Sequence, residues 1–295
     1  MSTPILSARS IIKSFGRRSW FGGAGNARRA VDTIDLDVNE GETLAIVGES
    51  GSGKSTLARM LLGLVKPTSG EVAYYGQPMG AFTAPDWATF RKAVQPIFQD
   101  PASSLNPRMR VDTTPSNVLL RHRLATRDTL AAEITELLAS VGLDAAQFHD
   151  RYPHQLSGGQ QQRIAIARAM AVRPRLIIAD EPLSSLDMSV QAQILDLLIS
   201  LKSSRNLGLV LISHDLNVVD AISDRVIVMY LGKVVEAGPT RQVLGNPVND
   251  YTRSLLAAKL VADPHLARER RLAMDAAVAS KSRQTPTPDV QGASQ

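Results

Sequence analysis

The run Gly48-Glu-Ser-Gly-Ser-Gly53-Lys54-Ser55 constrains this chain more than anything else in it. It satisfies the pattern G-x-x-x-x-G-K-[ST] without a mismatch. Its setting is also right: the apolar stretch Leu44-Ala-Ile-Val47 reads as a strand before it, and a helix is expected from Lys54 to about Val65 after it. Glycines let the backbone curl until successive N–H groups face one anion, and the positive end of the following helix adds to the attraction. The candidate cradle is Gly48, Glu49, Ser50, Gly51, Ser52, Gly53, Lys54, Ser55 and Thr56. Lys54 is placed to reach the β- and γ-phosphates of a nucleoside triphosphate. The Ser55 hydroxyl offers the hard oxygen that Mg²⁺ prefers.

Such a loop needs a carboxylate on a neighbouring strand. Leu176-Ile-Ile-Ala-Asp180-Glu181 supplies two. Asp180 ends the apolar run and would hold Mg²⁺, directly or through water. Glu181 follows on the loop's side of the sheet and is a candidate general base for an attacking water. A third apolar run, Leu209 to Ile212, leads into Ser213-His214. Three runs thus deliver polar groups just past their C-terminal ends, the edge where open α/β sheets bind ligands. His214 is read there as a γ-phosphate contact.

Apolar strands alternating with helices predict a parallel sheet with helices on both faces. Residues 5–12 and 31–38 read as half-buried strands, and Gly16–Ala30, rich in Gly and Arg, as an exposed loop between them. Helices are expected at 126–141, stopped by Gly142, then at 157–172, 189–203, and from the end of the 209–212 strand to about Ile222. Leu231-Gly232 reads as a tight hairpin turn. Pro96 falls in the strand leading to Gln99, and proline cannot donate to a sheet ladder, so that strand must leave the position free or bulge. Asp263–Ala279 is a candidate helix, and the Thr-Pro-Thr-Pro tail at 280–295 is expected to be disordered.

Composition removes other classes. There are no cysteines, which excludes disulfides, thiolate catalysis and Cys-ligated zinc or iron–sulfur clusters. No run approaches the ~18 apolar residues of a membrane span. The net charge of +5 fits an Arg-rich surface. Aromatic residues make up only 4%, which supplies a stacking platform for single-stranded nucleic acid poorly. No nucleic-acid partner is expected.

Leu156-Ser-Gly-Gly-Gln160 reads as a second anion-binding helix start, with Ser157 as cap and two glycines for close backbone approach. One nucleotide does not need two cradles. Two facing chains, each giving one cradle and one lid, would use both. The whole set resembles the ATPase subunit of ABC transporters. In that resemblance the Walker A loop is Gly48–Ser55, the Q-loop residue Gln99, the signature Leu156–Gln160, Walker B Leu176–Asp180 with Glu181, the D-loop Ser184-Ser-Leu-Asp187 and the switch histidine His214. These occur in the family's order over about residues 5–240.

The resemblance implies a P-loop NTPase (RecA-like) α/β core with an antiparallel β subdomain and an inserted α-helical subdomain at about 101–156. The ATPase domain would be 1–240, with a C-terminal extension at 241–279. It further implies ATP and Mg²⁺ as ligands. Glu181, His214, Gln99 and Lys54 would be catalytic, with Ser55, Gln99 and Asp180 at the metal. Ser157, Gly158, Gly159, Gln160 and Asp187 would join the nucleotide from the facing chain. Phe15 would stack on adenine, with Trp20 or Phe21 as substitutes.

Phe98-Gln-Asp-Pro-Ala-Ser-Ser-Leu-Asn-Pro-Arg108, Ser189-Val-Gln-Ala-Gln193 and Val228-Met-Tyr-Leu-Gly232 are similar to the dipeptide/oligopeptide/nickel importer branch. The Gly/Arg-rich insertion at 16–30 resembles the second of its paired ATPases, and Tyr251-Thr-Arg-Ser-Leu-Leu256 resembles the branch's C-terminal element. The usual His-Pro before that Tyr is here Asn249-Asp250. Clusters found in some extensions of this branch are not expected without Cys. The implied partners are two membrane permease subunits, a paralogous ATPase (or a second copy of this chain) and a solute-binding protein reached through the permease. The implied location is the cytoplasmic face of the inner membrane, as a peripheral subunit. Dipeptides, oligopeptides, nickel, glutathione and opine-like solutes all stay open. The alternative is an accessory ATPase of a soluble multi-subunit enzyme such as a phosphonate-cleaving complex.

Overall fold

The structure, a computed structural model, describes residues 3–16 and 28–261. The expectations for Trp20, Phe21, the 263–279 helix and the 280–295 tail lie outside the described residues. The chain divides into two units, 1–252 and 253–295.

Six strands form the central sheet: β3 (Thr43–Val47), β6 (Val94–Ile97), β7 (Leu176–Asp180), β8 (Gly208–Ile212), β9 (Arg225–Tyr230) and β10 (Lys233–Pro239). Their order is β10-β9-β3-β8-β7-β6, parallel throughout except for the antiparallel β10–β9 pair. A second, antiparallel sheet has the order β2-β1-β4-β5, from β1 (Leu6–Phe15), β2 (Arg28–Val38), β4 (Ser69–Tyr74) and β5 (Gln77–Pro78). The Asp32 N–H donates to the Gly232 carbonyl at 2.8 Å and ties the two sheets together.

Side chains alternate across a strand, so a strand buried on both faces must be apolar at every position. Leu176 and Ile178 of β7 enter the core shared with the antiparallel sheet, and Ile177 and Ala179 enter the core on the other face. Val210 and Ile212 of β8 divide from Leu209 and Leu211 in the same way. These continuous apolar runs are what made the strands legible. Pro96 pairs with Ile178 in β6, which is the edge of the sheet, so its missing N–H removes no ladder bond on the open side.

The helices are α1 (Lys54–Leu61), α2 (Ala84–Ala93), α3 (Pro101–Ser104), α4 (Thr113–Arg121), α5 (Leu130–Ser140), α6 (Ala145–Phe148), α7 (Gly158–Met170), α8 (Met188–Arg205), α9 (Leu216–Ile222), α10 (Thr240–Gly245) and α11 (Asp250–Val261). Helix α1 is shorter than expected. Gly63 turns left-handed at φ +67° and donates to Met60 O, while Leu64 donates to Arg59 O, the paired bonds that close a helix. The expected helix at 126–141 begins only at Leu130, because Thr126 and Thr129 exchange side-chain bonds and make a turn first. Gly142, at φ +72°, ends it. Strand β2 begins at Arg28, inside the stretch expected to be loop. Helix α2 had no apolar stripe to announce it. It is set by a reciprocal cap between Thr83 and Asp86 and by the ring cluster of Phe82, Trp87 and Phe90.

Helices α3, α4 and α5 pack on α7, so the inserted helices rest on the helix that Ser157 opens. On the other side of the sheet's base, Asp224 accepts from the Thr43 N–H and from Lys202 Nζ, both at 2.8 Å, and fixes the start of β3. Burial opposes ionisation of Asp224, but Lys202 and the Thr43 N–H outweigh it and hold its carboxyl below the usual range. A lowered folded pKa gives stability that is complete above about pH 4 and lost as pH falls through the folded value. The side chain is half exposed, so screening limits the effect. Asp224→Ala should lower stability by about 1 kcal/mol at neutral pH. Urea melts of both proteins at about pH 7 and pH 3 should show that difference narrowing with acid.

Candidate functional site

Strand β3 ends at Val47 and the chain curls through Gly48–Gly53 into α1. Gly48 sits at φ +147°, and a Cβ there would lie 2.2 Å from the Met229 carbonyl oxygen. Gly53 sits at φ +106°, and a Cβ there would lie 2.0 Å from Ala30 O. Both contacts are with backbone, which cannot step aside, so the loop requires glycine at each point. The Gly232 N–H donates to Ser52 O at 2.9 Å and braces the loop from the β9–β10 turn. Sequence reading took Leu231-Gly232 only as a hairpin turn and missed this support.

Lys54 is buried, yet its ammonium meets no carboxylate directly. Nζ donates to Gly48 O at 2.7 Å and Glu49 O at 2.8 Å, with Ser52 Oγ at 3.5 Å. Burial pulls its pKa down, while Glu181, Asp180 and Glu49 pull it back up. Ser55 Oγ donates to Asp180 Oδ1 at 3.1 Å. Burial raises the Asp180 carboxyl; the Ser55 bond opposes this and the Glu181 charge adds to it.

Glu181 begins where β7 stops. Its backbone is left-handed at φ +48°, an uncommon conformation outside glycine, and its N–H donates to Ile212 O at 2.9 Å. That turn aims the carboxylate across the sheet edge. Glu181 Oε2 accepts from Gln99 Nε2 at 3.3 Å and faces His214 Nδ1 at 3.3 Å. Side chains from the ends of β6, β7 and β8 therefore meet on one oxygen.

These groups open onto a cleft of about 680 Å³, lined by Phe15, Ala30, Ser50, Gly51, Gly53, Lys54, Ser55, Thr56, Gln99, Glu181 and His214. Gly48, Glu49, Ser52 and Asp180 are not part of this lining. Phe15 is 52% exposed at the rim, with Lys13 Nζ 5.4 Å from its ring centre. It is not packed into the core, and the Lys13 ammonium lies over its ring.

Ser157, Gly158, Gly159, Gln160 and Asp187 do not line this cleft. Ser157 caps α7: the Gln160 N–H donates to Ser157 Oγ at 3.3 Å, and the Ser157 N–H to Gln160 Oε1 at 3.0 Å. A Cβ at Gly159 would lie 2.4 Å from Val190 Cγ1, so one of the two glycines lets α7 pack closely on α8. Sequence reading had given that glycine to ligand approach alone. Asp187 precedes α8 and is exposed, and Met188 beside it is 86% exposed. The predicted site residues thus form two groups: the cleft with its loop, and a capped helix start with an exposed flank.

The cleft fits a nucleoside triphosphate. A buried ammonium held only by neutral oxygens can transfer to phosphate, glycine backbone leaves room for phosphate oxygens, and Ser55 with Asp180 presents hard oxygens for Mg²⁺.

Comparison with known proteins agrees. The sequence pattern of the family described as ABC transporter matches residues 31–184, just over half of the chain. The oligopeptide transport ATP-binding protein OppF of Salmonella typhimurium is 45% identical over 256 residues, 86% of this chain and 76% of OppF. The glutathione import ATP-binding protein GsiA of Salmonella typhimurium is 47% identical over 270 residues, 91% of this chain but 43% of GsiA, so this chain spans less than half of that relative. Among solved structures, the dimeric post-hydrolysis state of the ATP-binding cassette MJ0796 with ADP and Pi superposes with a TM-score of 0.70 at 29% identity, covering 80% of this chain and 99% of that one. Fold, cleft and sequence lead to one assignment: the chain belongs to the ABC transporter family, among its ATP-binding proteins.

Proposed function

We propose that this chain is the ATP-hydrolysing subunit of an importer for peptides or related small solutes, and that it works as a dimer with nucleotide sandwiched between facing chains. The observation that carries the reading is the division of the site. One chain holds a cleft with phosphate loop, Gln99, Glu181 and His214, while its capped Ser157 helix start is absent from the cleft lining. A facing chain that supplies Ser157, Gly158, Gly159 and Gln160, with Asp187 alongside, would close the cleft. MJ0796, at 29% identity, is dimeric.

In this reading Phe15 stacks on adenine, and Lys54 leaves its two carbonyls for the β- and γ-phosphates. Glu181 Oε2 takes a proton from water as the water oxygen bonds to the γ-phosphorus. The bond from that phosphorus to the β-phosphate oxygen breaks, and ADP and phosphate leave. His214, 3.3 Å from Glu181 Oε2, holds that carboxylate and reaches the γ-phosphate. Gln99 senses the γ-phosphate and hands the change to the 101–156 helices. Ser55 and Asp180, with Gln99 near, would hold Mg²⁺, whose charge would offset that of the phosphates. Among the described residues no three His, Cys, Asp or Glu cluster to hold a metal alone, so the remaining ligands would be phosphate oxygens and water. The γ-phosphate then acts as a shared ligand that favours the closed dimer until hydrolysis removes it.

Residues 1–240 would be the ATPase domain and 241–279 an extension. No helix among the described residues is long and apolar enough to cross a membrane. In the importer reading the chain works at the cytoplasmic face of the inner membrane, docked on two permease subunits beside a paralogous ATPase. OppF and GsiA are named for oligopeptide transport and glutathione import, which supports a peptide-like solute. Affinity purification from detergent-solubilised membranes tests this. Recovery with two polytopic membrane proteins is expected, whereas recovery with soluble enzyme subunits alone would refute the importer role.

A further inference from the structure

The Glu49 N–H donates to the phenolic oxygen of Tyr251 at 3.1 Å, a contact across 202 positions of sequence. The Tyr251 ring leans on Tyr230, with centroids 4.3 Å apart and planes tilted by 35°. Tyr230 ends β9, and two residues later Gly232 donates to Ser52 O. The segment before Tyr251 is fixed as well. Glu236 of β10 accepts from the Val248 N–H at 2.8 Å and the Asn249 N–H at 3.1 Å, and Asn249 Oδ1 accepts from the Tyr251 N–H at 2.9 Å. A chain of bonds therefore runs from β10 through Asn249 and Tyr251 to the first limb of the phosphate loop.

Glu49 is held at both ends of its backbone. Tyr251 takes its N–H, and Lys54 Nζ takes its carbonyl. When Lys54 turns to a phosphate it gives up that carbonyl. The Ser52 N–H, 3.2 Å from Glu49 O, then holds the carbonyl, and the Tyr251 oxygen holds the N–H. Fixing a loop before its ligand arrives removes ordering cost from binding. Burial raises the Tyr251 phenol above its ordinary value, so it remains a neutral hydroxyl at working pH.

We infer that Tyr251 is a positioning residue for nucleotide: backed by Tyr230, it clasps Glu49 and holds the phosphate loop in its binding shape. The inference rests on the nucleotide-binding reading of the cleft, and its test separates the two. Tyr251→Phe keeps the ring on Tyr230 and removes only the oxygen. In the full chain, the Kd for a fluorescent ATP analogue and the KM for Mg-ATP should rise about three- to tenfold, the range of one lost hydrogen bond, with kcat within about twofold. Amide exchange at Glu49, measured without nucleotide, should speed up by a similar factor. Glu49→Pro deletes the donor, and on that background Tyr251→Phe should change nothing further.

Unchanged exchange at Glu49 overturns the clasp, and faster exchange with unchanged affinity overturns the positioning role. An equal effect of Tyr251→Phe on the Glu49→Pro background overturns the partnership. If Glu49→Pro does not fold, the exchange and affinity pair decides alone. A wild-type chain that binds no ATP while Tyr251→Phe still speeds exchange refutes the reading of the cleft and leaves the clasp intact.

Discussion

Glu181→Gln should lower ATP turnover by about 10²- to 10⁴-fold while leaving ATP affinity within a few-fold of wild type. The substitution changes almost no geometry. A glutamine oxygen can still accept from Gln99 Nε2 and from His214 Nδ1, the two groups that now meet Oε2 at 3.3 Å each. It has no basic oxygen to take the proton from an attacking water. Binding and hydrolysis should therefore separate. With ATP present and cleavage blocked, the shared γ-phosphate persists, and an earlier-eluting dimer should accumulate on a sizing column. ADP should not produce it. Turnover close to wild type would refute the base assigned here. Loss of turnover without a dimer would refute the facing-chain sandwich and leave the base in place.

The part of the fold that positions this chemistry was legible because few solutions exist for it. Val47, Ala179 and Ile212 end the short runs 44–47, 176–179 and 209–212, apolar at every position as a strand covered on both faces requires. Their polar successors then converge by topology alone. Gly48, Gly53 and Lys54 were legible because the loop admits no side chain where backbone stands within 2.2 Å. Other pieces left no periodic trace. Helix α2 depends on a Thr83–Asp86 cap and on aromatic contacts with Phe82, and helix α4 buries only Pro115 and Leu119 among the residues of its length. Long-range supports were invisible for a different reason. The Gly232 N–H and the Tyr251 hydroxyl act on backbone atoms of Ser52 and Glu49, and a contact with the backbone from 202 positions away imposes no pattern near Glu49. The strain at Glu181 is the converse. A left-handed glutamate is locally unfavourable, and the Ile212 carbonyl on its N–H, with the Ser184 N–H and hydroxyl on its carbonyl, holds it there.

Lys54→Ala should weaken ATP binding by about 10- to 100-fold, the range for a charge-assisted bond to phosphate, and should suppress turnover further because the transferring phosphoryl group loses the same cation. The structure adds a pH signature. Burial lowers the Lys54 pKa, with Glu181, Asp180 and Glu49 opposing it, so the ammonium gives up its proton at lower pH than an exposed lysine. The sign follows directly. The charged form binds phosphate, so wild-type affinity should be full at neutral pH and fall as pH rises through the lowered pKa. Bound phosphate favours the ammonium and shifts that loss upward, so the free-protein pKa shows in the pH dependence of Kd rather than in the saturated complex. The phosphates themselves titrate near about pH 6 and stay fully ionised over the alkaline range. Titration with a fluorescent ATP analogue from about pH 7 to pH 10 should therefore give a falling affinity for wild type and a flat one for Lys54→Ala. Parallel falls in both proteins would move the titrating group away from Lys54. Equal affinities at pH 7 would remove Lys54 from the phosphate site altogether.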